Sequence, residues 1–454
     1  MTEQTSIEKS TTGPSATRPP ATDRPPTERT RGRWLLDLGL ALVVFLIALG
    51  PRLEIARSYD TPLQSEERLY NRYAVPWALG EGAEPREKAL PWHPYGSFTH
   101  RPPGYTLFVG AIYRIAGIEN FTAVRTAQAW LDAFSVALVF LLGLLVFGGW
   151  VGRAVGLTAA LLVAGYDFQM LFVGRLLSEV IYLWLCLVFL VLALPAVRRG
   201  WPLLTLAAAF VLGWANLVRP FLLFVIPGYL LWLALAPRLP RRKAHLALAL
   251  LGIVLAIAPV TWRNWQFHQQ LILISTNSGY TLYKSLTEVE NLEAPADIPS
   301  EASIDALELG EVAEQAAFRQ AALDYMAQHP ADIPKIYTRK LVQLWAAKGG
   351  HKISHVLMVT PDDPWLYPLV FLGALASLAV RPRHAWHARL LVLGTIASQY
   401  LVSLLANAEV RYRVPIIPLL AVLAAWTLWG LIDLGLRRLR ARREAASAPM
   451  AAGA

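Results

Sequence analysis

Two adjacent acids, Glu66 and Glu67, stand in a polar stretch between two strongly apolar segments, and that stretch closes with His100-Arg101-Pro102-Pro103-Gly104-Tyr105. A carboxylate serves as a general base when a partly dry setting tunes it and an acceptor hydroxyl lies within reach. Consecutive acids point in different directions, so one can take that role while its neighbour orients a partner or binds a metal. The plain alternative is a pair of solvated loop acids, and Asp60 is a further candidate base. A third acid, Glu179, lies where a short turn runs back into an apolar segment, beside Arg175. Ionisable groups at membrane depth are costly, and are usually functional or paired. An i,i+4 pair between Arg175 and Glu179 is the simpler account. Asp167, in the preceding segment, is a weaker candidate.

Six arginines form a second set: Arg101, Arg175, Arg219, Arg263, Arg411 and Arg413. Guanidinium groups match phosphate oxygens with paired donors. They suit an anionic partner held at the membrane surface, such as a lipid-linked phosphate. Reaching out to lipid headgroups is the alternative for any one of them. Other chemistry finds little support. His351 and His355 stand at i,i+4, but no acid follows the first as in a zinc-protease helix. His93 and His100 are the histidines that could approach Glu66. There is no phosphate-binding glycine loop, Ser-His-Asp order or nucleotide motif, so a nucleotide-sugar donor has no visible site. The one cysteine, Cys186, sits in an apolar run and excludes both a disulfide framework and a cysteine-built metal centre.

The elements that must position these residues are membrane helices. The chain is 55% hydrophobic, its mean hydropathy is +0.40, and several apolar runs reach the roughly 18 residues that cross a hydrocarbon core. The net charge of +10 does not point to nucleic acid, because Lys and Arg gather in short loops between spans, the positive-inside pattern. Residues 1–32, rich in Thr, Pro, Ser and charge, read as a disordered cytoplasmic tail. Trp34 to Leu49 is too long for a signal peptide, and no cleavage-like site follows it.

Hydropathy offers about eleven apolar segments. The basic loops at Arg153, Arg198-Arg199, Arg238 to Lys243, Arg381 to Arg383 and Arg437 to Arg443 fall on one side only if one early segment does not cross. Gly104 to Gly117 is that segment: it is short, follows Pro102-Pro103 and carries Arg114, as a helix in the outer interface would. The expectation is an all-α polytopic protein with about ten transmembrane helices over residues 33–435, both termini cytoplasmic, and a basic tail at 436–454. Two large loops, 51–103 and 263–364, lie on the outer face with the acids and the arginines. Glu311 to His329 and Ile333 to Trp345 read as helices of the second loop. No internal repeat is visible.

In order along the chain, these residues resemble the bacterial GT-C glycosyltransferases of the protein-mannosyltransferase and aminoarabinose-transferase type (glycosyltransferase family 39-like). The matching strings are Glu66-Glu67-Arg68-Leu69-Tyr70, Arg101-Pro102-Pro103-Gly104-Tyr105, Val124-Arg125-Thr126-Ala127-Gln128 and Leu176-Leu177-Ser178-Glu179. Arg219-Pro220, Trp262-Arg263-Asn264, Ser275 to Gly279 and Arg411-Tyr412-Arg413-Val414-Pro415 continue the likeness, which runs from about Trp34 to Leu434. The resemblance implies a GT-C fold in the bacterial inner membrane. It implies transfer of a sugar from a polyprenyl-phosphate donor to a lipid, glycan or protein acceptor on the periplasmic side. It makes Glu66, Glu67 and Glu179 the catalytic acids. Glu66 would be the base, and Glu67 an orienting residue or the ligand of a divalent metal. Tyr70, Arg101, Arg175, Arg219, Arg263, Arg411 and Arg413 would bind substrate. One position departs from the family, whose leading acid is most often Asp where this chain has Glu66. A transporter or lipid flippase, or a non-catalytic membrane scaffold, is the alternative. A transporter should show related halves and broken midplane helices, whereas here the charges gather at one interface.

Overall fold

The computed structural model describes residues 28–81, 99–289, 294–307, 309–345, 366–380, 385–406 and 408–447. Among them the regular secondary structure is all helical, with no strand. The first half comprises α1 (Glu28–Ser58), α2 (Ser65–Leu79), α3 (Gly104–Ala116), α4 (Phe121–Phe147), α5 (Gly149–Ala164), α6 (Asp167–Gly174), α7 (Glu179–Arg199) and α8 (Pro202–Val218). A 3-10 turn, Pro220–Leu222, leads to α9 (Val225–Ala234) and α10 (Arg242–His268). The second large loop folds into α11 (Ser278–Thr287), α12 (Glu301–Asp305), α13 (Glu311–Gln328) and α14 (Asp332–Trp345). The chain ends with α15 (Leu366–Ala376), α16 (Trp386–Leu405), a 3-10 turn at Val410–Arg413 and α17 (Ile417–Ser447). Packing separates Met1–Leu40 from Ala41–Ala454, and the second unit carries all of the candidate acids and arginines.

Among the described residues six helices are long and apolar enough to cross a membrane: Trp34–Ser58, α4, α7, α10, α16 and Ile417–Arg442. The α5–α6 pair makes a seventh if it counts as one span bent by 56°. The expected ten would also need α8, α9 and α15 to cross, and these apolar helices are short. The 10-residue α9 is only about 15 Å long at 1.5 Å per residue, roughly half of a hydrocarbon core. The segment Gly104–Ala116, expected not to cross, is absent from both the long and the short apolar helices. It packs instead on α2. The two helices expected in the second loop form as α13 and α14, and Phe318, Tyr283, Leu286, Ala322, Tyr325 and Ile336 give that loop its own apolar core.

The membrane helices pack in the spatial order α10, α8, α7, α4, α5, α17, α15. Close approach in the middle of this row depends on glycine. A Cβ on Gly143 of α4 would strike the Gly156 backbone of α5, and one on Gly156 would strike the Phe140 carbonyl. The outward faces keep their hydrophobes exposed, as Leu250, Val254 and Trp262 of α10 do, which suits a lipid neighbour rather than water.

Hydropathy reads α5 and α6 as a single run; a buried arginine divides it. Arg52 is fully buried. Its Nε donates to Asp132 at 2.5 Å, and its terminal nitrogens donate to the Ala164 and Val163 carbonyls at 3.1 and 3.4 Å. Those carbonyls close α5, so the guanidinium supplies the donors that a continuing helix would have supplied. Gln169 of α6 donates to the other Asp132 oxygen at 2.7 Å. Breaking a buried pair leaves an uncompensated charge and costs about 3–5 kcal/mol. Arg52→Met is therefore expected to lower the unfolding midpoint in detergent by several degrees or more. An unchanged midpoint would show that the bend does not depend on this network.

Candidate active site

The site is assembled by five chain segments that meet at one end of the bundle. Helix α2 supplies Glu66, Glu67 and Tyr70 from its first two turns. Gln64 and Glu67 form a reciprocal cap there, the Gln64 amide donating to Glu67 Oε2 at 3.0 Å. The stretch 99–103 supplies Arg101, and the turn before α7 supplies Arg175, Ser178 and Glu179. The end of α8 supplies Arg219, and the turn before α17 supplies Glu409 and Arg411. Gly104 lets two of these segments touch, because a Cβ there would collide with the Leu217 carbonyl and the Val218 side chain just before Arg219.

Glu66 is the hub. It is 9% exposed, and its two oxygens each receive a guanidinium: Arg101 on Oε1 at 2.5 Å and Arg411 on Oε2 at 2.5 Å. Burial alone would raise the Glu66 carboxyl. Arg411 first, then Arg101 and Arg219, outweigh it and hold the group well below the usual carboxylate range. Glu179 is fully buried at the start of α7, where the helix dipole favours a carboxylate. Its Oε1 accepts from Arg219 at 2.8 Å, and Arg411 lies 3.7 Å away. Its second oxygen is buried without a hydrogen-bond partner, as is the Nε of Arg101.

Arg219 also donates from Nε to Ser178 Oγ at 2.6 Å. Its guanidinium lies 5.5 Å from the Phe221 ring centre and 5.4 Å from that of Tyr412. The Tyr70 hydroxyl is 3.4 Å from the same Ser178 oxygen. Arg411 holds Glu409 through Nε at 2.6 Å and through its second terminal nitrogen at 3.1 Å. Glu66, Tyr70, Arg101, Glu179, Arg219 and Arg411 thus come together. Ser178 and Glu409 join them unannounced. Ser178 carries no charge to mark it, and Glu409 reads in sequence as one more loop acid.

The other candidates take other partners. Glu67 is 2% exposed, and its oxygens accept from the Gln64 amide, from the Leu176 amide at 2.8 Å and from Arg175 at 2.9 Å. It ties α2 to the turn before α7, and every bond it makes is to a protein donor. Among the described residues no group of three or more His, Cys, Asp or Glu could hold a metal. The simple Arg175–Glu179 pair does not form, because Arg175 goes to Glu67 and Glu179 to Arg219. Arg263 faces Asn264 Oδ1 at 2.7 Å. Arg413 turns to the Tyr367 ring, 4.2 Å from its centre. His100 is buried, and its ring lies 6.4 Å from that of Tyr280. His93, His351 and His355 fall outside the described residues.

Two apolar clefts meet at the start of α9. Leu223, Phe224, Ile253, Ile257, Trp262 and Leu273 line a space of about 880 Å³ along α9 and α10. A second cleft of about 960 Å³ shares Leu223, Phe224 and Leu273 with it. Its lining also includes Pro220, which follows Arg219 in the chain, and polar Ser275, Asn277, Gln315 and Arg319. A long apolar chain with a polar head matches this mixed lining.

No protein-family model matches the sequence, and no curated protein sequence matches it. Solved structures do match. An archaeal oligosaccharyltransferase, AglB from Archaeoglobus fulgidus, in complex with an inhibitory peptide and a dolichol-phosphate, superposes with a TM-score of 0.56 at 14% identity, covering 93% of this chain and 53% of that one. The Archaeoglobus fulgidus oligosaccharyltransferase tethered to an acceptor peptide gives 0.55 at 15% identity, with 88% and 50% covered. ArnT from Cupriavidus metallidurans bound to undecaprenyl phosphate gives 0.37 at 15% identity, with 87% and 77% covered. The chain spans about half the length of the oligosaccharyltransferases it matches. With its apolar helices, the chain is a multi-pass membrane protein of the GT-C fold.

Proposed function

We propose that this chain is a glycosyltransferase of the bacterial inner membrane. It moves a sugar from a polyprenyl-phosphate donor to an acceptor at the outer face, and both its termini are cytoplasmic. The observation that carries the reading is the buried cluster of Glu66, Glu179, Arg101, Arg219 and Arg411, with an apolar cleft whose lining includes Pro220, the residue after Arg219. Glu179 Oε2 and Arg101 Nε are buried without a hydrogen-bond partner, which leaves both able to meet polar groups of a ligand. The arginines meet the donor phosphate and spread its charge as it leaves, which is electrostatic work. Glu66 takes the proton of the acceptor hydroxyl. Tyr70 and Ser178 steady Arg219 and the wall of the site. AglB binds a dolichol-phosphate on this fold, which supports a lipid phosphate as the anionic partner.

The test is consumption of a panel of polyprenyl-phosphate sugars by membranes that hold the protein. Release or transfer of one sugar is the expected result and would name the donor. Consumption of none by well-inserted protein would remove the reading. Orientation is tested separately. Gly310 precedes α13 in the second large loop, and the native Cys186 is fully buried. Gly310→Cys is expected to react with a membrane-impermeant maleimide in intact spheroplasts. Labelling only after permeabilisation would invert the topology.

A further inference from the structure

Arg101 is the most exposed arginine of the cluster, with its side chain 28% exposed, yet it must meet a buried carboxylate. The segment that carries it is pinned from the second large loop. Glu311 opens α13 and is 8% exposed. Its Oε1 accepts from Thr99 Oγ1 at 2.8 Å and, in a shorter contact, from Thr276 Oγ1. The Thr276 amide donates to the Thr99 carbonyl at 3.0 Å. Thr99 Oγ1 also lies 2.8 Å from His268 Nε2 at the end of α10. Because the Thr99 proton goes to Glu311, the imidazole is the donor in that contact. Thr99 is therefore held from α10, from the 275–278 stretch and from α13. Two residues later Arg101 enters Pro102-Pro103, where fixed φ angles restrict the backbone on the other side.

We propose that Glu311, acting through Thr99, is the positioning residue that sets Arg101 against Glu66. The second large loop thereby becomes part of the active-site scaffold. This rests on the transferase reading for its kinetic consequence, but the geometry it asserts is independent of that reading. Removing the Thr99 hydroxyl frees the segment by a fraction of an ångström or more, and a misplacement of about 1 Å costs on the order of 10²-fold in rate. A role that works only through Arg101 has a distinctive signature: its loss matters only while Arg101 is present.

The experiment pairs Thr99→Val and Glu311→Ala with Arg101→Ala in the full-length protein in nanodiscs. Hydrogen exchange is read at residues 99–101 and at the Thr276 amide, and sugar transfer is read in parallel. Thr99→Val and Glu311→Ala should each expose these amides and lower kcat/KM by about 10- to 100-fold. Glu311→Gln, which keeps the accepting oxygen, should recover most of that loss. In an Arg101→Ala background, adding Thr99→Val should change turnover by less than about two-fold, the non-additivity expected of coupled groups. Unchanged exchange in Glu311→Ala would overturn the proposal, and so would a full additive loss in the double variant. If the wild type transfers no sugar, the functional reading fails, while the exchange data still decide whether Glu311 pins the segment.

Discussion

Glu66→Gln abolishes transfer, with a loss of at least about 10³-fold, while the variant inserts and purifies like the wild type. The size follows from the role. A positioned base contributes about 10²–10⁴-fold, and the amide cannot accept the proton. Glutamine is nearly isosteric and keeps one accepting oxygen, but its NH2 group cannot accept, so one of the Arg101 and Arg411 contacts at 2.5 Å is lost and the other loses its charge. The loss should appear in kcat as well as in kcat/KM, because the proton moves only in the chemical step. The pH profile gives a second reading. Arg411, Arg101 and Arg219 together overcome burial and hold the Glu66 carboxyl well below the usual carboxylate range. Above that low value the group is already ionised in the free protein. The kcat/KM profile reports free-enzyme groups, so it should show no acid limb from Glu66 between about pH 5 and 8. Wild-type turnover in Glu66→Gln would end the assignment, and an acid limb near pH 6 that vanishes in the variant would contradict the paired geometry.

Types of residue were more legible in the sequence than pairings. An acid at the mouth of an apolar run is costly wherever it lies, so Glu179 could be singled out without any contact. Glu66 stood out by its polar stretch between two apolar segments, and Arg101, Arg219 and Arg411 by their fit to an anionic partner. Their partners were not legible, because the Arg411–Glu66 contact joins residues 345 positions apart, and nothing local records it. Arg175 shows how proximity misleads. Glu179 is its i+4 neighbour, but Arg175 lies before α7 in extended backbone, so the helical rule does not apply and Glu67 takes it. Helix count was only partly legible, because α8, α9 and α15 are apolar but short. Hydropathy sees composition, while the break between α5 and α6 is made by Arg52 from a distant helix. The glutamate that stands where the resembling family most often has aspartate also gains a physical context. Its longer side chain starts from the first turn of α2 and still meets both guanidinium groups.

Arg411→Ala raises the KM for donor by about 10- to 100-fold and lowers saturated turnover far less. The reason lies in how Arg411 is shared. One terminal nitrogen rests on Glu66, while Nε and the other terminal nitrogen rest on Glu409, so an arriving phosphate must draw Arg411 from a carboxylate. Glu409 is the easier to displace, with its side chain 25% exposed against 9% for Glu66. A phosphate that takes up the guanidinium also weakens the field holding Glu66 ionised, so its proton affinity rises when the acceptor must be deprotonated. Donor binding before acceptor binding is the kinetic order this predicts. Lysine cannot reproduce the forked contact, so Arg411→Lys should restore only part of the donor affinity. The alanine variant should differ in one more respect. With its strongest charge partner gone, the Glu66 carboxyl rises, and the acid side of kcat/KM should move up in pH. An unchanged donor KM in Arg411→Ala would remove the phosphate role. An unchanged acid side would show that Arg101 and Arg219 hold Glu66 without it.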